Sequence, residues 1–569
     1  MEGRMGTSIE VLREQMTFLL EQGLHDSAEM VGNFLMSLVS TNGELSPGSR
    51  AECMILYGDA LYGRKEHRRA LNVYRQALQL CRATPKQPMS GTRTPVQSRP
   101  ASAASAAHDS KINENEVKYK IGLCHLAVHD TRAALSEMEG IPSKARTLRI
   151  NLTLAKLYRM TGYDRVATAS YRECLKQCPY VLEAIVALAE LGMASKDIHA
   201  LFPQGQGKIS RSTTEHPEPV RWLQRFADGH SSITTHDYKG ALEHFNSLGQ
   251  RFPNNPHLLL ESAKAEMALT KNDEAAHNFE KARQIDPFNI SSMDEYAMLL
   301  RSRGEHMDLN RLVHDLISID ATRPEVWVAA AVYWEMRDDK IRALTYADKS
   351  MRVDDRHTSA YIVKGNISLA LNRPEAAVMA FRKAQLLKPD LRSYQGLVRA
   401  YLAIPKHKEA LCAAREAMKA MPQSAKALTL VGDVYAHHPD GRDKARRFYE
   451  SALRLEPTYL GAVLALAELY GLEGRNEEAV SLLQRYLKTF VDDALHTKLA
   501  QILAASDKLG DSLFHYQTAL SINPANDAAK KGLERLEKQM KGVDPDALEE
   551  EEENEGEDGD ADAEEGEFL

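Results

Sequence analysis

Long apolar runs are missing from this chain of 569 residues. No stretch approaches the roughly 18 consecutive apolar residues that a membrane-spanning helix needs, so no membrane span is expected. The N-terminal MEGRMGTSIEVLREQ lacks the short apolar core and small-residue cleavage site of a secretory leader. Cysteine is scarce. Cys53, Cys81, Cys124, Cys174, Cys178 and Cys412 are too scattered for a disulfide framework. These absences together predict an intracellular protein with reduced thiols.

Catalytic and metal motifs are missing as well. The 20 histidines include no His-Glu-x-x-His helix and no triad order. Gly205-Gln206-Gly207-Lys208 has part of a phosphate-loop pattern. It lacks the glycine five residues before the Gly-Lys pair, and Ile209 stands where a magnesium-binding hydroxyl belongs. Cys174 and Cys178 are four apart on one helical face, without the further ligands of a zinc site. Packing accounts for Cys174. His437-His438 falls in a turn between helices. Trp327 and Trp334, seven apart, read as a packed helix face in preference to an exposed anchor for a partner. Lysines and arginines come in short runs interleaved with acids, unlike a nucleic-acid stripe. No enzyme activity, cofactor, metal or nucleic-acid partner is expected.

Positive charge is absent from the C-terminus. Residues 543–569 carry 15 Asp or Glu and no Lys or Arg. Without those fifteen charges the net −8 of the chain becomes +7, so the body is mildly basic. Hydrophobic content of 43% is ample for a folded body.

What fills that body is a period of 34 residues. The clearest copy is Gly365, Ala377, Phe381, Ala384, Pro389. The same frame gives Ala263, Ala275, Phe279, Ala282, Pro287, and one residue longer Gly432, Ala445, Tyr449, Ala452, Pro457. Small residues at positions 8, 20 and 27 let two helices approach closely. An aromatic at position 24 fills the remaining gap, and proline at position 32 ends the second helix. This is the signature of tetratricopeptide repeats. The predicted fold is all-α, a tetratricopeptide-repeat superhelical solenoid of about thirteen helical hairpins.

The frame orders the chain. Residues 1–82 hold N-terminal repeats, 113–202 further repeats, and 220–541 a C-terminal array closed by a charged capping helix. Residues 83–112, rich in Ser, Pro, Ala and Thr, bury too little apolar surface to fold and are expected to be disordered. Residues 203–219 read as a loop and 542–569 as a disordered acidic tail. Thr84-Pro85 and Thr94-Pro95 in the insertion are weak candidates for proline-directed phosphorylation. The copies at 8–42, 181–200 and 290–322 are the weakest, and irregular stacking is expected there. The 181–200 copy loses its second-helix signature.

Binding chemistry then belongs to the concave face, lined by about the second, fifth and ninth positions of each first helix. These select Ile362 and Asn366, then Arg392, Gln395 and Arg399, then Lys426, Thr429 and Asp433. Arg392, Arg399 and Lys426, with the amide of Asn366, form a candidate cationic site for a peptide carboxylate or acidic motif. Solvated groove charges are the plain alternative. The set departs from the clamp of chaperone-binding repeats. Ile362 stands where that clamp has a lysine, and Gly396 where it has an asparagine.

Several longer segments carry a more specific likeness. They are EVKYKIGLCHLAVHDTRAALSEMEGIPSKART at 116–147, INLTLAKLYRMTGYDRVATASYRECLKQCP at 150–179, ARQIDPFNISSMDEYAMLLRSRG at 282–304 and YIVKGNISLALNRPEAAVMAFRKAQLLKP at 361–389. With the insertion and the acidic tail, residues 8–541 resemble the subunit 7 family of the anaphase-promoting complex. The resemblance implies a non-catalytic scaffold in a cell-cycle ubiquitin ligase, supporting ubiquitination and mitotic progression. It also implies homodimers formed through the N-terminal repeats, partners among sibling repeat subunits, and a nuclear as well as cytoplasmic location. Related repeat subunits hold Ile-Arg tails of activators in their grooves, so activator or peptide tails are candidate partners. Two readings compete with it: a repeat adaptor or co-chaperone capturing short peptides, and a repeat-bearing enzyme. Repeats run to about Lys541 and leave no room for a catalytic domain.

Overall fold

The ring of Phe381 shows why the 34-residue frame folds as it does. It is fully buried, and a methyl group placed on Gly365 would stand 2.6 Å from its Cζ. Position 8 of the repeat therefore faces position 24 of the same hairpin, and only a small residue admits the aromatic. Tyr449 repeats the arrangement against Gly432. Its hydroxyl then donates to Asp433 at 2.9 Å, as Tyr74 donates to Asp59 at 2.6 Å. Burial of such a ring contributes about 1.5–3 kcal/mol per hairpin.

Helix ends follow from local chemistry. Helix Pro374–Leu387 stops two residues before Pro389, with Lys388 extended at φ −151° and ψ 118°. Asp286 and Glu456 adopt the same extended form before Pro287 and Pro457. A proline ring disfavours helical geometry in the residue before it, which sets these stops. Between paired helices the chain turns through a left-handed residue such as Asn372, φ 57°, or Gly474, φ 74°. Asp130, Asp237 and Asp339 cap the second helices by accepting from backbone N–H groups.

The computed structural model describes residues 2–41, 45–83, 112–202, 218–524 and 526–540. Among these residues there are twenty-nine α-helices and no strand. Paired in order, they make fourteen hairpins and a closing helix, Asp527–Met540. This agrees with the expected count of about thirteen, and the weak 181–200 copy is one of the fourteen, with a second helix, Ser195–His199. That helix has only five residues, which is why its sequence signature is lost. Residues 84–111 of the expected disordered insertion, most of the 203–219 loop and the acidic tail lie outside the described residues, as do Thr84, Thr94 and Gly205–Lys208, while Ala83 instead ends helix His67–Ala83. Residues 218 and 219 instead open helix Glu218–Thr234.

The chain divides into two compact units, Met1–Pro253 and Asn254–Leu569. In the first, six hairpins stack, and Glu29, only 6% exposed, is met by Arg64 and by Arg69 at 2.9 Å. In the second, eight hairpins stack before the closing helix. Each second helix packs on the first helix of the next hairpin, as Pro374–Leu387 does on Leu391–Ala403. The degenerate copy at 290–322 keeps a full apolar core of Met293, Tyr296, Leu300, Leu309, Leu312 and Leu316. Trp327 is buried as expected. Its Nε1 donates to the Ala321 carbonyl at 2.8 Å and its ring stacks on Tyr346. Trp334 is half-buried, with the Arg342 guanidinium 4.7 Å above its ring. Cys174 is buried in the packing, and His438 meets His407 ring to ring at 4.3 Å.

Candidate functional site

First helices line the concave face of the second unit, and the four candidate residues lie on three consecutive ones. Asn366 is on Thr358–Ala370, Arg392 and Arg399 on Leu391–Ala403, and Lys426 on Ala425–Ala436. Arg392 and Lys426 share repeat position 2, at the N-terminal end of their helices. Asn366 and Arg399 share position 9, two turns further along. The helical rise of 1.5 Å per residue separates these rows by roughly 10 Å. The candidate set therefore occupies two levels of the groove.

At the first level the cations are already engaged. The Arg392 guanidinium grips Glu295 in a fork, with Nη1 2.6 Å from Oε2 and Nη2 2.9 Å from Oε1. Its Nε donates to Asp390 at 2.8 Å. Burial works against the Arg392 charge, but Asp390 and Glu295 outweigh it and hold the pKa well above its ordinary value. Burial likewise opposes ionisation of Asp390, and Arg392 overcomes it and lowers that carboxyl. Lys426 donates to the Ala268 carbonyl at 2.6 Å, and burial pushes its ammonium below the usual lysine range. Beside them His357 Nε2 lies 3.1 Å from Asp294 Oδ2.

The second level is open. Arg399 is exposed and Asn366 half-buried. Ile362 is buried at 2%, inside the core where a chaperone clamp needs a charged lysine. Gly396 is packed against the Phe381 ring, leaving no space for an asparagine side chain.

Groove residues missed in the sequence are Asp294, Glu295 and His357. With Ala297 at position eight, Asp294 stands at position five, which the position rule reaches once that degenerate copy is numbered; Glu295 stands at position six, outside the rule. His357 precedes its helix and carries no such signal. In the first unit the corresponding ion pairs join neighbouring inner helices, as Arg149–Glu116 at 2.6 Å and Lys120–Asp59 at 2.7 Å. They border a pocket of about 150 Å³ lined with Tyr62, Tyr74 and Tyr119.

Among the described residues no cluster of three or more His, Cys, Asp or Glu is placed to hold a metal ion. No described helix is long and apolar enough to cross a membrane. The arrangement offers buried charge pairs and an open row of polar groups, which suit binding and structural roles.

Family models of the tetratricopeptide repeat match residues 358–391 and 442–502. The chain is similar to a solved structure, the APC/C hetero-tetramer Cut9-Hcn1, with a TM-score of 0.59 and 16% identity over 93% of this chain and 96% of that one. At that identity the likeness speaks for the solenoid fold. Among curated relatives, anaphase-promoting complex subunit 7 of Dictyostelium discoideum is 30% identical over 95% of this chain and 92% of its own length. Anaphase-promoting complex subunit 7 of Arabidopsis thaliana is 56% identical over 99% of this chain and 100% of its own length. With 56% identity over 99% of this chain and the whole of that relative, the chain belongs to the anaphase-promoting complex subunit 7 family.

Proposed function

We propose that this chain is a non-catalytic scaffold subunit of the anaphase-promoting complex. In this reading it supports ubiquitination and mitotic progression by holding other proteins in place. The observation that carries the proposal is the end-to-end relation to a subunit 7 protein at 56% identity. A solenoid suits the role, because stacked hairpins expose a large surface for a given mass. Other tetratricopeptide-repeat subunits of the complex are the proposed partners, and the nucleus, besides the cytoplasm, is the proposed location.

A homodimer through the N-terminal repeats belongs to the same proposal. Its support is the first hairpin, where Val11, Phe18, Met30 and Phe34 are 54%, 54%, 66% and 70% exposed. Large apolar side chains left in water on consecutive helices mark a surface that gains by being covered. Activator or peptide tails are further proposed partners, with Asn366 and Arg399 the candidate groove residues accessible to them. Nothing favours the co-chaperone alternative, since its clamp lacks two of its members here.

Affinity purification of the tagged full-length chain from dividing cells, read by mass spectrometry, tests the proposal. Recovery of a cullin-like and a RING-like subunit with sibling repeat proteins is expected. Recovery of chaperones or motors alone would sink it. The same tag, followed by microscopy or fractionation, tests the nuclear location.

A further inference from the structure

We infer that the contacts at the first level of the groove form one intramolecular clasp, which closes that end of the channel and fixes the winding of the second unit. Three bonds make it. His357 reaches Asp294, two hairpins back, at 3.1 Å. Arg392 reaches Glu295, three hairpins back, at 2.6 and 2.9 Å. Lys426 reaches the carbonyl of Ala268, five hairpins back, at 2.6 Å. All three donors stand at the N-terminal ends of consecutive inner helices. All three acceptors lie on the helices Pro256–Ala268 and Met293–Arg303. Ser359 adds a long contact to Glu295 at 3.5 Å.

The physical argument rests on what a solenoid normally lacks. Each repeat ordinarily touches only its neighbours, so the array unfolds by fraying from one end. Bonds that skip one to four hairpins couple repeats that stacking leaves independent. They form only when every intervening hairpin adds its share of rotation, so they select one winding. The charges are matched inside the clasp. Arg392 has Glu295 and Asp390, and His357 has Asp294. A ligand carboxylate entering the Arg392 fork would displace Glu295, whose side chain is only 17% exposed, and strand its charge. Stranding a buried charge costs more than the pair itself contributes, so displacement is disfavoured. Arg392 and Lys426 thus hold the unit together, and the open row at Asn366 and Arg399 is left for partners.

Hydrogen exchange on the full-length protein tests the clasp. In Arg392→Glu, amide exchange should rise roughly tenfold or more in residues 391–403 and 293–303, and also in the intervening hairpins. Glu295→Gln, which keeps the side-chain shape, should act in the same direction with a smaller change. The double reversal Glu295→Arg with Arg392→Glu should restore part of that protection, since Asp390 still lies beside position 392. A fluorescein-labelled acidic pentapeptide with a free carboxylate should bind Arg392→Glu no more weakly than the unaltered chain beyond the general effect of a two-unit change in net charge. Faster exchange confined to residues 391–403, with no rescue by the double reversal, would overturn the clasp. So would peptide binding to the unaltered chain that Arg392→Glu abolishes and Arg399→Glu leaves intact.

Discussion

His357 Nε2 sits 3.1 Å from Asp294 Oδ2, across 63 residues of sequence, and each group shifts the other's protonation. Burial opposes the charged imidazole, but the bond and charge of Asp294 overcome it and raise the His357 pKa above the ordinary histidine value. Glu325 and Asp354 add to that rise. Burial also opposes the Asp294 carboxylate. His357 and the Ser359 hydroxyl overcome it and lower its pKa.

The signs define a pH window. The His357 contribution is complete below its unfolded pKa of about 6.5 and fades as pH rises through its raised folded value. The Asp294 contribution is complete above about 3.9 and is lost as pH falls through its lowered folded value. Melting of the second unit followed from pH 5 to pH 9 should therefore show falling stability above neutrality. His357→Gln should flatten that fall. At pH 6 it should lower stability by about 1.5–3 kcal/mol, the worth of a bond to a charged group. An identical pH slope in the variant would remove His357 from the account.

Phe381 and Gly365 provide a test of the repeat frame. Phe381→Ala should destabilise its hairpin by about 3–5 kcal/mol, through lost burial and the cavity left behind. Gly365→Ala should cost about 1–3 kcal/mol, since its methyl group would press on the same ring. Urea unfolding monitored by exchange in residues 358–387 would measure both. A neutral Gly365→Ala would mean that position 8 does not face position 24.

The exposed first hairpin makes the self-association proposal testable on the intact chain. Phe18→Glu with Phe34→Glu places two charges on that surface without touching the core. Light scattering should show the unaltered protein as a dimer at micromolar concentration and the double variant as a monomer. A monomeric unaltered chain, or a variant that still dimerises, would refute the N-terminal interface.

Much of the architecture was legible in the residues because helix packing is local. A glycine at 365 and a phenylalanine at 381 meet within one hairpin, and Pro389 stops a helix through the residue just before it. Such effects act within one period, so a repeat pattern records them. The weak copies were harder. The copy at 290–322 keeps an ordinary core because Leu309, Leu312 and Leu316 replace the expected signature with other apolar residues. In the 181–200 copy the second helix is too short to show a period.

The groove divides along a different line. Repeat position alone was enough to place Arg392 and Lys426 on the inner face, because the angular position of a residue follows from its register on the helix. Their partners lie 97 and 158 residues earlier. No pattern within one repeat can announce such a partner. It depends on the small rotations that successive hairpins accumulate, and these depend on how each pair of helices packs. Residue types and spacing thus settled the all-α repeat fold and which side chains face inward. The winding of the second unit decided that two of the four candidate binding residues are bound to the protein itself.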